Sequence, residues 1–203
     1  MLDKWINKKY LDEKEILKIR KTFFISKPYP NFELKDFFTS SKIEKLRKEV
    51  LKEQFSKQDR DLFSFSNTKE LNTSKSGFVM EFYAFLMSGE FLELMGKLTG
   101  EKLNKIDMHA HSFKQGDYLL FHDDVVGQRK IAYIVYLAKG FVSKDGGRLL
   151  LYDVKNPRKP AKEIVPSFNS VAGFKVSEIS LHVVEEVKSN KQRLTVGGWF
   201  YGN

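Results

Sequence analysis

Cysteine is absent from this 203-residue chain, and histidine occurs only four times. The first absence excludes disulfides, thiolate metal sites and cysteine nucleophiles, leaving His, Asp and Glu as the side chains able to hold a metal ion. It also suits a reducing compartment, so a cytoplasmic location is expected. Long apolar runs are missing as well. The longest, Ile131 to Ala138, is far short of the ~20 residues that a membrane-spanning helix needs. The first twenty residues, MLDKWINKKYLDEKEILKIR, mix charges of both signs and contain no apolar stretch of signal-peptide length. A soluble, unsecreted protein with no membrane role is expected.

What the chain does have is apolar and aromatic. A hydrophobic fraction of 41% with 18 Phe is too rich for a disordered chain, and this length suffices to bury one core without staples. One domain spanning 1–203 is the expected organisation. The net charge of +9 would fit a nucleic-acid or ribosomal partner, but 26 acidic residues are interspersed and no basic stripe stands out. Direct nucleic-acid binding as the main role is therefore disfavoured.

Residues 1–102 read as mainly helical support. Leu11 to Ile25 carries Leu11, Ile16, Leu17, Ile19 and Phe23 among charges, and Ser40 and Ser41 can cap a helix bearing Ile43, Leu46, Val50, Leu51 and Phe55. Residues 66–77, SNTKELNTSKSG, lack apolar periodicity and read as a mobile loop. A further amphipathic segment holds Phe82, Phe85, Leu86, Leu92 and Met95, with Gly89 able to divide it. From 103 to 203 the pattern changes to short strands, near 104–113, 117–122, 130–137, 148–153, 162–165, 171–176, 179–184 and 193–201. Turn-forming Gly, Pro, Asn, Asp and Ser separate them. The expected fold is mainly β with N-terminal helices: a double-stranded β-helix, or jelly roll, braced by α-helices.

His122 and Asp124 sit two residues apart in FHDD. In extended chain that spacing points both side chains one way, which permits a ligand pair, while the same residues also suit a plain surface turn. His182, in the strand-like EISLHVVEEV, is a third candidate. Two His and one carboxylate would form the facial triad of a non-haem Fe(II) site with open positions. HAH places His109 and His111 at the same spacing, a start for a cupin-type site, but the following polar residue is Gln115 rather than Glu. Two ordinary strand histidines are the preferred reading there. Arg193, in QRLTVGGWF, is the lone charge in a strand of uncharged residues. If it points inward it predicts a buried acid, a bound ligand being one form of it; if outward, it covers the sheet. Tyr136 can share that partner or simply pack in the core, and Trp199 is either an apolar wall or core.

Taken in order, FHDD, GQRKIAYIVYL, DGGRLLLYD, PSFNSVAGFKV, SLHVVEEV and QRLTVGGWFYG resemble the 2-oxoglutarate- and Fe(II)-dependent oxygenases of the prolyl-hydroxylase type. The likeness is greatest to the catalytic domain of the ribosomal prolyl 3-hydroxylases. It extends upstream through KPYPNFELKDFF, QDRDLFSFSNTKEL and IDMHAHSFKQGDYLLFHDD, so it covers nearly everything after residue 25. The resemblance implies His122, Asp124 and His182 as iron ligands. It also implies Arg193 as the anchor of the distal carboxylate of 2-oxoglutarate, with Tyr136 assisting. Fe(II), 2-oxoglutarate as cosubstrate and O2 are the implied cofactors, and ascorbate is a candidate accessory.

Candidate pocket walls are Phe113, Tyr118, Leu149, Thr195 and Trp199. Members of the family often have Tyr where this chain has Phe113, and Tyr118 is nearby but out of that register. The eukaryotic ribosomal enzymes add a second, non-catalytic barrel, and recognition through such a barrel is not assumed for this chain, whose sequence stops at WFYGN. Segments 66–77 and 139–147 are candidate lids, the second with Gly140, Gly146 and Gly147 as hinges. The expected function is hydroxylation of a prolyl residue in a protein or peptide substrate, with ribosomal proteins as the favoured class. Two alternatives stand beside it: the same chemistry on a free amino acid or small metabolite, or a non-catalytic basic jelly roll that binds RNA or the ribosome.

Overall fold

The computed structural model describes residues 1–202. Its helices are α1 (Leu2–Trp5), α2 (Glu13–Ile25), α3 (Ser40–Val50), α4 (Gly77–Leu86) and α5 (Gly89–Thr99). Its strands are β1 (Asn31–Leu34), β2 (Ser56–Arg60), β3 (Phe63–Asn67), β4 (Lys105–Ile106), β5 (His109–Phe113), β6 (Tyr118–His122), β7 (Arg129–Tyr136), β8 (Leu149–Leu151), β9 (Lys162–Ile164), β10 (Val171–Lys175), β11 (His182–Val184) and β12 (Arg193–Tyr201). All pairings are antiparallel, in the order β1-β10-β7-β12-β5-β3-β6-β11-β8-β9, with β2 beside β3 and β4 beside β12. The two ends of this path approach each other, since Lys162 Nζ of β9 donates to Asn31 Oδ1 of β1 at 2.6 Å. The sheet is thus nearly closed into a barrel, the mainly β, helix-braced jelly roll that the strand pattern predicts.

Strand alternation divides the side chains between two environments. From β7 and β12, Ile131, Tyr133, Val135, Leu194, Val196 and Phe200 face the helices and join one large cluster with Trp5, Phe23, Phe82 and Phe85. Ala132, Ile134, Tyr136 and Trp199 face the other way, into the barrel. Strands covered on both faces show no polar alternation, which is why β12 reads as a nearly continuous uncharged run.

Helix boundaries follow local chemistry. Asp12, Ser76 and Ser88 accept the backbone N–H groups of Glu15, Val79 and Phe91, capping α2, α4 and α5. The division expected at Gly89 is present, with Ser88 starting the second piece. Ser40 and Ser41 are not caps. They lie in the first turn of α3, and the preceding Thr39 turns its hydroxyl to Lys4 O instead.

Residues 1–102 hold helices α1 to α5 and also give the sheet β1, β2 and β3. One expectation needs correction: segment 66–77 is not a free loop. Leu71 is buried, Thr68 N and Leu71 N donate to Ala110 O and Met108 O, and the hydroxyls of Ser74 and Ser76 bond to Glu53 and Glu49. Backbone pairing and single buried side chains hold it, neither of which has a periodic sequence signature.

Asn169 ties the N-terminal layer to the strand that carries Tyr136. Its φ is 62°, its Oδ1 accepts Phe38 N at 3.0 Å, its Nδ2 donates to Phe38 O at 2.9 Å, and its own N donates to Tyr136 O at 3.0 Å. Replacing it with Ala strands two buried backbone groups and places a Cβ residue without a polar tip in a left-handed conformation. Urea unfolding of Asn169→Ala should show a loss of about 2–4 kcal/mol.

Candidate active site

Pairing of β11 with β6 sets His182 directly opposite His122, and their ring centroids are 3.9 Å apart. Each imidazole is turned by its own strand. Nδ1 of His122 lies 2.7 Å from Leu120 O, and Nδ1 of His182 lies 2.8 Å from Ser180 O. A nitrogen facing a carbonyl carries the proton, so in the neutral ring Nε2 is left with its lone pair. Burial, followed by the neighbouring His122, pushes the His182 imidazole down to about 4, which keeps it neutral near pH 7.

Asp124 completes the group from a turn. With φ at 67° it leaves the strand direction, and its two carboxylate oxygens reach 3.7 Å from His122 Nε2 and 3.5 Å from His182 Nε2. One ligand atom from each of the three residues lies within 4.8 Å of the others, the sole such cluster of His and acidic residues among the described residues. Two neutral imidazoles and one carboxylate suit a first-row divalent cation with open coordination positions. Asp123, between the ligands in sequence, serves the turn: its carboxylate accepts Val125 N at 3.0 Å, and its carbonyl accepts the Ser180 hydroxyl at 2.7 Å.

The same cavity, of about 230 Å³, runs from this group to Arg193. Arg193 is 1% exposed. Its Nε donates to Gly147 O at 2.8 Å, and its guanidinium lies 5.0 Å and 5.3 Å from the ring centres of Phe113 and Tyr136. Burial draws its pKa downward, and only Tyr136 opposes that shift. Arg193 Nη2 and the Tyr136 hydroxyl are both buried without a hydrogen-bond partner. The inward orientation is therefore the one observed, yet no protein carboxylate supplies the predicted buried acid. A cation desolvated in this way calls for an anion from outside the chain, and a carboxylate is the best match to its fork.

Of the expected walls, Phe113, Leu149, Thr195 and Trp199 line the cavity. Tyr118 does not; its hydroxyl donates to Asp61 O at 3.4 Å. The cause is a register shift between His182↔His122 and Val184↔Leu119, which spends an extra residue of β6 and turns Leu119 inward instead. Segment 139–147 is fastened rather than hinged. Lys191 Nζ binds Gly140 O at 2.5 Å and Asp145 Oδ2 at 2.7 Å, and a Cβ on Gly147, at φ 65°, would meet Arg193 Cδ at 3.2 Å. That glycine lets the backbone carbonyl approach the guanidinium.

HAH forms no cupin-type cluster, but its two histidines are not equivalent. His109 Nδ1 is 3.3 Å from Thr68 O, whereas His111 lines the cavity with Phe65 and Phe174. The position of His111, two residues before Phe113 on one strand face, carried that signal. Arg129 was also missed. Its guanidinium covers Trp199 at 3.3 Å, and its Nη1 reaches Asp124 O at 3.4 Å, so it braces both the wall and the ligand turn.

Residues 108–201 match the family model of the 2OG-Fe(II) oxygenase superfamily. The segment 108–201 belongs to that superfamily. The chain is 33% identical over 87% of its length to prolyl 3-hydroxylase OGFOD1 of Xenopus laevis, covering 36% of that protein. It is 36% identical over 85% of its length to the Mus musculus OGFOD1, covering 32%. For prolyl 3-hydroxylase sudestada1 of Drosophila melanogaster the values are 30% identity, 76% and 31%. The chain thus spans about a third of the length of these curated relatives.

Solved structures agree on the fold. A Pseudomonas putida prolyl-4-hydroxylase superposes with a TM-score of 0.72 over 93% of this chain and 99% of its own, at 15% identity. A Trichoplax adhaerens prolyl hydroxylase, solved with a hypoxia inducible factor peptide fragment, gives 0.72 over 94% and 93%, at 16% identity. The superfamily implies Fe(II), 2-oxoglutarate and O2, and the oxygenase domain presents a donor set and an unpaired buried cation that fit the first two.

Burial, then His109 and Arg193, pushes the His111 imidazole of this oxygenase domain down to about 3. The unfolded chain takes up that proton near pH 6.5 and the folded one only near 3, so the folded state loses stability as pH falls across this window. The slope should approach about 1.4 kcal/mol per pH unit from this residue. Denaturant unfolding of the metal-free protein at a series of pH values checks it, and His111→Phe should remove that share of the slope.

Proposed function

We propose that this chain is a 2-oxoglutarate- and Fe(II)-dependent dioxygenase that hydroxylates a prolyl residue in a protein substrate, with a ribosomal protein as the favoured target. The observation that carries the reading is the pairing, in one cavity, of the His122–Asp124–His182 group with a buried guanidinium that lacks an anion. In this reading His122, Asp124 and His182 hold Fe(II), and Arg193 with Tyr136 holds the distal carboxylate of 2-oxoglutarate.

Bound iron, with 2-oxoglutarate and O2, supplies the oxidising power to convert a C–H bond to C–OH as the keto acid is converted to succinate and carbon dioxide. The protein supplies orientation and shielding. The Nδ1 contacts to Leu120 O and Ser180 O fix both imidazoles with Nε2 inward. Phe65, Phe113, Leu149 and Phe174 give the space between the ends an apolar lining. Beside the ligand turn, Phe121, Val125 and Val126 are exposed, an apolar margin that favours a polypeptide over a small polar metabolite. The prolyl hydroxylase names of the relatives support the substrate class.

The purified protein, given Fe(II), 2-oxoglutarate, O2 and proline-containing ribosomal peptides, should form succinate and add one oxygen atom to a peptide proline by mass spectrometry. Turnover of free proline with no peptide product would instead favour a metabolite substrate. His122→Ala or Asp124→Ala should lower activity more than about 100-fold through lost Fe(II) binding, read by direct metal titration. Arg193→Met, which keeps bulk and removes charge, should raise the KM for 2-oxoglutarate on the order of 100-fold. An unchanged KM would show that the cosubstrate is anchored elsewhere.

A further inference from the structure

The burial pattern of β5 alternates between His109, His111 and Phe113 on one face and Ala110 and Ser112 on the other. Its pairing with β12 sets Phe113 opposite Arg193 and His111 opposite Thr195. Diagonal neighbours on paired strands are within reach of long side chains, so His111 and Arg193 can address one ligand. Phe113 offers that ligand no polar atom. His111 does: it lines the cavity, its ring lies 5.8 Å from that of Phe65, and neither ring nitrogen has a hydrogen-bond partner among the described residues.

The charged groups that act on it are His109 and Arg193, and no carboxylate offsets them. The ring is therefore neutral, with one N–H and one lone pair. Its diagonal position to Arg193 on the paired strands places His111 toward the Arg193 end. His111 is half-buried and lines the cavity, so its N–H has no protein acceptor there among the described residues, and a ligand that fills this end can present one.

We propose that His111 is a binding residue for 2-oxoglutarate, donating its imidazole N–H to the carboxylate that Arg193 neutralises. The inference rests on the cosubstrate reading above and deepens it. A carboxylate has lone pairs for several donors, and here Arg193 Nη2, the Tyr136 hydroxyl and His111 are all without partners. Selectivity follows. A keto acid ending in methyl would leave the His111 N–H and the Arg193 charge both unanswered, so the pocket should prefer a dicarboxylate by more than charge alone provides.

The test is an anaerobic titration of the Fe(II)-loaded full chain with 2-oxoglutarate, followed by absorbance. His111→Leu should weaken binding by about 10- to 100-fold, the value of a hydrogen bond to a charged group. Fe(II) affinity should stay unchanged, and His111→Asn should restore part of the loss. His109→Leu should bind as wild type does. If wild type binds and Arg193→Met weakens binding but His111→Leu does not, the role of His111 is overturned while the cosubstrate reading stands. If wild type does not bind 2-oxoglutarate at all, both fall. Should His111→Leu fail to fold, ¹⁵N NMR of the wild-type imidazoles with Zn(II) in place of iron decides. The His111 resonances should move on adding 2-oxoglutarate, and their constancy would overturn the proposal.

Discussion

A guanidinium held inside a barrel with no carboxylate beside it is the constraint around which this fold is arranged. Removing such a charge from water costs several kcal/mol even after relaxation. Arg193 recovers part of that from the Gly147 carbonyl and from the faces of Phe113 and Tyr136. Several local features are consequences. Gly147 must lack a side chain for its carbonyl to approach, and the Lys191 contacts to Asp145 and Gly140 hold that segment in place. The deficit that remains makes the empty protein less stable than its complex with an anion, because a ligand that binds only the folded state stabilises it.

The rest of the molecule supplies what this site withholds. On the helix-facing side of the sheet, Trp5 packs against Phe78, Phe82 and Phe85, and Phe91 reaches Phe200 of β12. Those aromatic contacts stabilise the strand that presents Arg193 from its opposite face. The two faces of β12 thus divide the work by parity: Leu194, Val196 and Phe200 anchor, while Arg193, Thr195 and Trp199 line the cavity. A one-residue slip of this strand would exchange the two sets, so the core also fixes the register of the site.

Much of this was legible in the sequence, for identifiable reasons. The later strands are separated by turn residues, so eight extended segments are visible without a structure, the first of them covering both β4 and β5. The ligand pair is readable because alternate residues of extended chain share a side, although the actual geometry is a left-handed turn at Asp124 rather than continued strand. β2 was hidden because SKQDR is polar and almost wholly exposed, whereas FSFSN of β3 does alternate, with Phe63 and Phe65 on one face, but over too few residues to stand out. Tyr118 was misplaced because a single extra residue in β6 reverses parity, and nothing in the residues themselves marks that bulge. His111 was passed over since the pattern of a metal site was sought around it, although its place two residues before Phe113 on one strand face was readable; its pairing opposite Thr195 is what only the fold reveals.

The two ends of the cavity have complementary demands, and together they narrow the ligand more than either does alone. At one end, two neutral imidazoles and one carboxylate carry a single negative charge, so a divalent cation held there retains a net positive charge. At the other end Arg193 is positive and unanswered. Between them lie Phe65, Phe113, Leu149, Phe174 and Val184, with no charged side chain to interrupt the span. A molecule that satisfies this arrangement must be anionic at both termini and apolar between them. A short dicarboxylate with methylene carbons in its middle has that form, and a monocarboxylate meets only half of it. Thus charge distribution along the cavity, and not the triad alone, is what makes this site complementary to a short dicarboxylate.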